Sequence, residues 1–84
     1  MEVRIAARAR ADLLAITDYI ADADPGAAEA LLERFIVLVD TLAAHPRMGR
    51  PGRVAGTREL VLHHAYLIAY RVTEEAVEIL HVRH

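Results

Sequence analysis

Cysteine is absent from the chain, which removes disulfides and thiolate metal sites as ways of stapling the fold. The lack fits a reducing compartment. No apolar run approaches the roughly 20 residues of a membrane span. The opening MEVRIAARAR holds no apolar stretch of signal-peptide length. Together these absences predict a soluble cytoplasmic protein with no membrane contact. Lysine is missing too, so every fixed positive side chain is a planar, multi-donor guanidinium; a GC-rich genome produces the same bias. There is no repeat, low-complexity tract or linker, and 84 residues make one domain, residues 1–84. A chain this short buries only about 60–65% of its unfolded surface, so its core is small. Yet hydrophobic residues make up 55% of it. Much of that is alanine, which favours helix, and apolar surface left over on a small domain often marks a partner site.

The formal net charge of −2 conceals an asymmetry. Residues 1–44 carry four Arg and eight acids, whereas residues 45–84 carry six Arg and four acids. Between His45 and Arg58 lie Arg47, Arg50, Arg53 and Arg58 with no acid among them, and all five histidines fall at or after residue 45.

Val3-Arg4-Ile5 alternates apolar and charged residues and predicts a short first strand. A helical pattern runs from Ala7 to about Ala23, with Ala9, Leu13, Ile16 and Ile20 on one stripe and Arg8, Asp12, Asp18 and Asp22 outside it. Asp24-Pro25 is a start signal, cap and first helical residue. The second helix runs to about Ala44, with Leu31, Phe35, Leu38, Val39 and Leu42 as its buried stripe. Pro46 ends it, because the residue before a proline is pushed out of the α region. The segment PRMGRPGRVAG then reads as a loop, longer than a tight connection needs. Strands are predicted at Arg58–Leu62, Tyr66–Val72 and Ala76–Val82, the last two joined into a hairpin by Thr73-Glu74-Glu75. The fold class is α+β in the order β-α-α-β-β-β, two helices packing one face of a small antiparallel sheet whose other face stays partly open.

Four segments carry a family resemblance. His45-Pro46-Arg47-Met48-Gly49-Arg50-Pro51 resembles an "HPxMGxP" loop, and Gly56-Thr57-Arg58-Glu59-Leu60-Val61 the strand entry that follows it. Tyr66-Leu67-Ile68-Ala69-Tyr70-Arg71-Val72 is similar to "YxIxYRV", and Val77-Glu78-Ile79-Leu80-His81-Val82-Arg83-His84 to a last strand "VEILRVLH". Their order and gaps resemble the RelE/ParE superfamily of type II toxin–antitoxin toxins, closest to the ParE branch. Members of that family usually continue beyond the position of His84. His81 stands where Arg is common, and Arg83 where an aliphatic is common.

The resemblance implies two unlike activities on one fold, which therefore does not decide between them. RelE-like members cut mRNA on the ribosome; ParE-like members bind and poison DNA gyrase. Cutting RNA with its own 2′-hydroxyl needs a proton acceptor, a cation on the phosphate and an acid for the leaving oxygen. Here Arg58 and Arg71 are the candidate cations and His81 and His84 the candidate proton carriers. No Tyr follows Tyr70, and no Lys exists. The ParE-like reading is thus the expectation: a gyrase poison neutralised by a cognate ParD/RelB-like antitoxin in a hetero-oligomer. The alternatives are a ribosome-dependent mRNA endonuclease and an inactive member that only binds antitoxin. Arg47, Arg50, Arg53, Arg58, Arg71 and Arg83 are the expected contacts to target or antitoxin. No cofactor or metal is expected, since His63-His64 and His81/His84 would alternate across a strand.

Overall fold

The first helix begins where the first strand runs out. In the computed structural model, which describes residues 1–64 and 66–84, strand β1 (Glu2–Ile5) leads through Ala6 into helix α1 (Ala7–Ala23). Helix α2 (Pro25–Ala44) follows at once: the Asp24 side chain accepts the N–H of Ala27 at 3.1 Å, and Pro25 sits where no donor is needed. The backbone N–H of His45 closes the last turn on Thr41 O, and Pro46 prevents continuation. Four strands remain: β2 (Arg50–Pro51), β3 (Arg58–His63), β4 (Tyr66–Val72) and β5 (Ala76–Arg83). The Thr73 hydroxyl, accepting the N–H groups of Glu75 and Ala76, shapes the β4–β5 turn.

The α+β class and the element order are as the sequence predicts, with two differences. The expected loop after α2 contains β2, which pairs antiparallel with β3 and makes the sheet five-stranded. The sheet is also mixed rather than antiparallel, in the order β1-β5-β4-β3-β2, because β1 lies parallel to β5 with Ile5 opposite Ile79. Two helices stand between β1 and the rest of the sheet in sequence, which is the crossover a parallel pair requires.

The core lies between the helices and one sheet face. Leu31, Phe35, Leu38 and Leu42 of α2 and Ala9 and Leu13 of α1 meet Leu62, Ile68, Tyr70, Val77, Ile79 and Val82. Each large side chain so buried contributes about 1.5–3 kcal/mol. Ile16, Ile20 and Val39 pack at its margin, so both predicted stripes face inward. Thr17 joins α1's buried side unpredicted; its hydroxyl bonds to Leu13 O and Leu14 O at 3.0 Å, satisfying itself within the helix.

Two features prepare the opposite face. A bulge at Leu80 shifts the β4–β5 register, so that Tyr70 opposes Ile79 while Ala69 opposes His81. Beyond the end of β1, the N–H of Val82 donates to Oδ2 of Asp12 at 3.1 Å. Asp12, outside the apolar stripe, thus ties α1 to the unpaired margin of β5.

A cationic cleft on the open sheet face

The HPRMG segment is docked by side chains from the sheet. Gly49 N–H donates to the Tyr70 hydroxyl at 2.8 Å, and both residues are buried. A Cβ at Gly49 would fall 2.6 Å from that oxygen and 2.9 Å from Glu59 O, so the position has no space for a side chain. Arg58 donates to Gly49 O at 2.8 Å and Arg47 O at 3.2 Å, clamping the same turn. The next residues form an arch: Gly52 N–H bonds Thr57 O, Thr57 N–H and hydroxyl bond Val54 O, and Gly56 takes φ +84°, where glycine is favoured.

This docking sets a row of paired residues across four strands. Arg50 opposes Glu59, Glu59 opposes Ala69, and Ala69 opposes His81. Strands are spaced about 4.8 Å apart, and the small Ala69 leaves a hollow between Glu59 and His81. The result is a cleft of about 350 Å³ bordered by Arg8, Arg53, Glu59, Ala69, His81 and Arg83. Glu59 is only 8% exposed. Its Oε2 accepts from Arg83 Nη2 at 2.9 Å and from the Arg53 backbone N–H at 3.2 Å, while Arg50 Nη2 stands 3.6 Å from Oε1. The hydrogen bond from Arg83, then that from Arg53, holds the Glu59 carboxyl below its ordinary pKa. On the far side, His81 Nδ1 is buried with no partner among the described residues. Burial, then the nearby charge of Arg8, pushes the His81 pKa down, so the ring is neutral near pH 7. The cleft thus gathers guanidinium groups, a buried carboxylate and one neutral imidazole around a single space.

The arginines and histidines singled out from sequence fall in different places. Arg53, Arg83 and His81 line the cleft, and Arg50 pairs with Glu59 at its edge. Arg58 is engaged with the loop carbonyls, and Arg71 pairs with Glu78, directly opposite it on β5, at 2.6 Å. Arg47 is exposed outside the cleft, and the His84 ring stands edge-on to Tyr66 at 5.4 Å. His63 and His64, expected on opposite strand faces, instead meet edge to face at 4.0 Å, because His64 leaves the strand at φ 45°. Sequence reasoning missed Glu59, Arg8 and Ala69 as parts of a site. Glu59 had a signal: it is the sole acid between Asp40 and Glu74, and it directly follows the arginine-rich stretch.

A second surface is apolar. Tyr19 is 75% exposed and Ile36 61%, with Leu14, Leu32 and Val37 also open on the outer sides of α1 and α2.

Residues 3–84 match the family described as the ParE toxin of type II toxin–antitoxin system, parDE. The chain is 46% identical to the putative toxin Y4kP of Sinorhizobium fredii, covering 98% of this chain and 85% of that protein. It is 43% identical to the toxin RelE2 of Caulobacter vibrioides, covering 92% and 86%. Among solved structures, a chain of the chromosomal ParDE system from P. aeruginosa superposes with a TM-score of 0.83 at 29% identity, covering 98% of this chain and 92% of that one. A chain of the RelBE2 toxin–antitoxin complex from Mycobacterium tuberculosis gives 0.61 at 32% identity, covering 99% and 95%.

Proposed function

The chain belongs to the ParE family of type II toxin–antitoxin toxins, and from that premise we propose that it arrests growth by binding DNA gyrase, with no catalytic step of its own, until a cognate ParD/RelB-like antitoxin neutralises it. One observation carries the choice of binding over RNA cleavage. Of the four residues a ribonuclease would draw on, His81 alone stands in the cleft. Arg58 is engaged with Arg47 O and Gly49 O, Arg71 with Glu78, and His84 lies against Tyr66. The four are therefore not gathered around one space, which supports the binding reading.

Contact falls to the arginines that remain presented. Arg47, Arg50 and Arg53 line the loop edge, with Arg83 behind them, and together they suit an acidic protein surface by steering and multidentate hydrogen bonds. Arg58 and Arg71 support that surface through the loop and the sheet. The exposed apolar residues of α1 and α2 suit an antitoxin segment that folds on binding. Both solved relatives above come from toxin–antitoxin pairs, which supports a hetero-oligomer.

The test is to induce the chain in bacteria without antitoxin and follow plasmid supercoiling and protein synthesis together. Supercoiling is expected to fail first, with no codon-specific mRNA cleavage. Translation failing first, with cleavage that His81→Ala abolishes, would replace the gyrase reading with the endonuclease one. A chain that stops neither process yet binds its antitoxin would be an inactive member.

A further inference from the structure

The cleft already contains an anion, and it is the chain's own. Glu59 lies buried in the sheet face at the centre of the arginine cluster. Its Oε2 accepts from Arg83 and the Arg53 backbone, and Arg50 forms an ion pair with Oε1 at 3.6 Å; these are the groups an incoming phosphate would use. The Arg8 and Arg53 side chains border the remaining space. Arg8 faces Asp12 at 3.9 Å, whereas the Arg53 guanidinium has no ion pair among the described residues. A phosphodiester entering this space meets Arg8, whose charge Asp12 already faces, the Arg53 guanidinium, and the fixed negative charge of Glu59 beside them. In a partly dry cleft, like charges a few ångströms apart repel strongly.

We infer that Glu59 is a specificity-determining residue: as a built-in counter-anion it fills the arginine cluster and excludes nucleic-acid phosphate from the cleft. The arginines alone would make a phosphate site on a sheet face that also presents a neutral imidazole. The inference deepens the binding reading proposed above, but its test involves neither gyrase nor ribosome, so each can fail without the other.

The experiment compares the purified chain with Glu59→Gln, which keeps the side chain's shape and one acceptor oxygen while removing the charge. Two probes are used: inorganic phosphate, and a short single-stranded RNA carrying a fluorescent label. Glu59→Gln is expected to bind both about tenfold more tightly than the parent, with a steeper salt dependence for the RNA. Adding Arg53→Ala to Glu59→Gln should reverse the gain, which assigns it to the cleft. Thermal melts at constant ionic strength, phosphate against chloride, supply a readout even if the variant folds poorly. Phosphate should raise the melting temperature of Glu59→Gln, or restore its folded circular-dichroism signal, and leave the parent unmoved. Equal phosphate and RNA affinities in parent and variant, with equal melting responses, would overturn the inference and leave Glu59 a structural partner of Arg83. Tight RNA binding by the parent itself would overturn it as well.

Discussion

Replacing Gly49 with alanine adds one methyl group at the tightest point of the loop. The new Cβ would lie 2.6 Å from Tyr70 Oη, 2.8 Å from Tyr70 Cε1 and 2.9 Å from Glu59 O. The ring belongs to a fully buried residue, and the carbonyl to a paired strand, so neither is a flexible end that can swing aside. Overpacking of this kind costs about 1–3 kcal/mol. Taking ~2 kcal/mol, a domain of this size should melt roughly 8–16 °C lower. Tyr70→Phe removes the acceptor of the buried Gly49 N–H, and leaving that donor unsatisfied costs about 1–3 kcal/mol on its own. The two changes should not add. Phenylalanine removes the closest of the three clashing atoms, and the displaced loop no longer needs the hydroxyl. The double variant should therefore be less destabilised than the sum by about 1 kcal/mol. Urea unfolding of the parent, both single variants and the double gives the cycle directly. Gly49→Ala as stable as the parent, or a strictly additive double, would refute the docking of the HPRMG segment onto Tyr70.

Two further outcomes follow from the site and its margin. Glu59 and His81 both have pKa values below their ordinary ones, so each contributes stability that is complete above its unfolded-state pKa and lost as pH falls through the folded value. Acidification should therefore destabilise the chain in two stages, the first beginning below about pH 6.5 from His81 and the second below about pH 4.3 from Glu59. His81→Asn should flatten the first stage and Glu59→Gln the second in urea midpoints measured against pH. Asp12→Ala should cost about 1.5–3 kcal/mol through the lost charged acceptor of the Val82 N–H; amide exchange should speed at Val82 before it does at Ile79. Protection at Val82 unchanged in Asp12→Ala would remove Asp12 from its role as a strand cap.

The helical half of the fold was legible because its signals are local. Asp24-Pro25 and Pro46 act through their own backbone geometry, and the stripes of α1 and α2 repeat within a few residues. β2 was not legible: two residues, one a proline, offer no periodicity, and proline is tolerated there because the strand lies at a sheet edge. The parallel pairing of β1 with β5 joins segments more than seventy residues apart, and Val3-Arg4-Ile5 carries no mark of its partner. Thr17 was passed over because a polar residue breaks an apolar stripe on paper, whereas in the helix it satisfies itself on Leu13 O and Leu14 O. The candidate site was half readable. The arginines were visible as a group, but Glu59 meets Arg83 across 24 positions, and the bulge at Leu80 that aligns His81 with Ala69 has no sequence signature. Arg58 shows the limit of charge counting: grouped in sequence with the loop arginines, it serves as a clamp on their backbone.

The pairing of the first strand with the last has a consequence for how the domain is made. During synthesis β1, α1 and α2 emerge first, and β1 finds its partner only after β5 has been added. Until then the apolar stripes of both helices have no sheet to cover them, and closing so long a separation is slow. The cleft is subject to the same delay, since Arg83 and His81 lie on that final strand. A chain without β5 lacks the completed site. Closing the sheet is therefore the step that both covers the helices and completes the cleft.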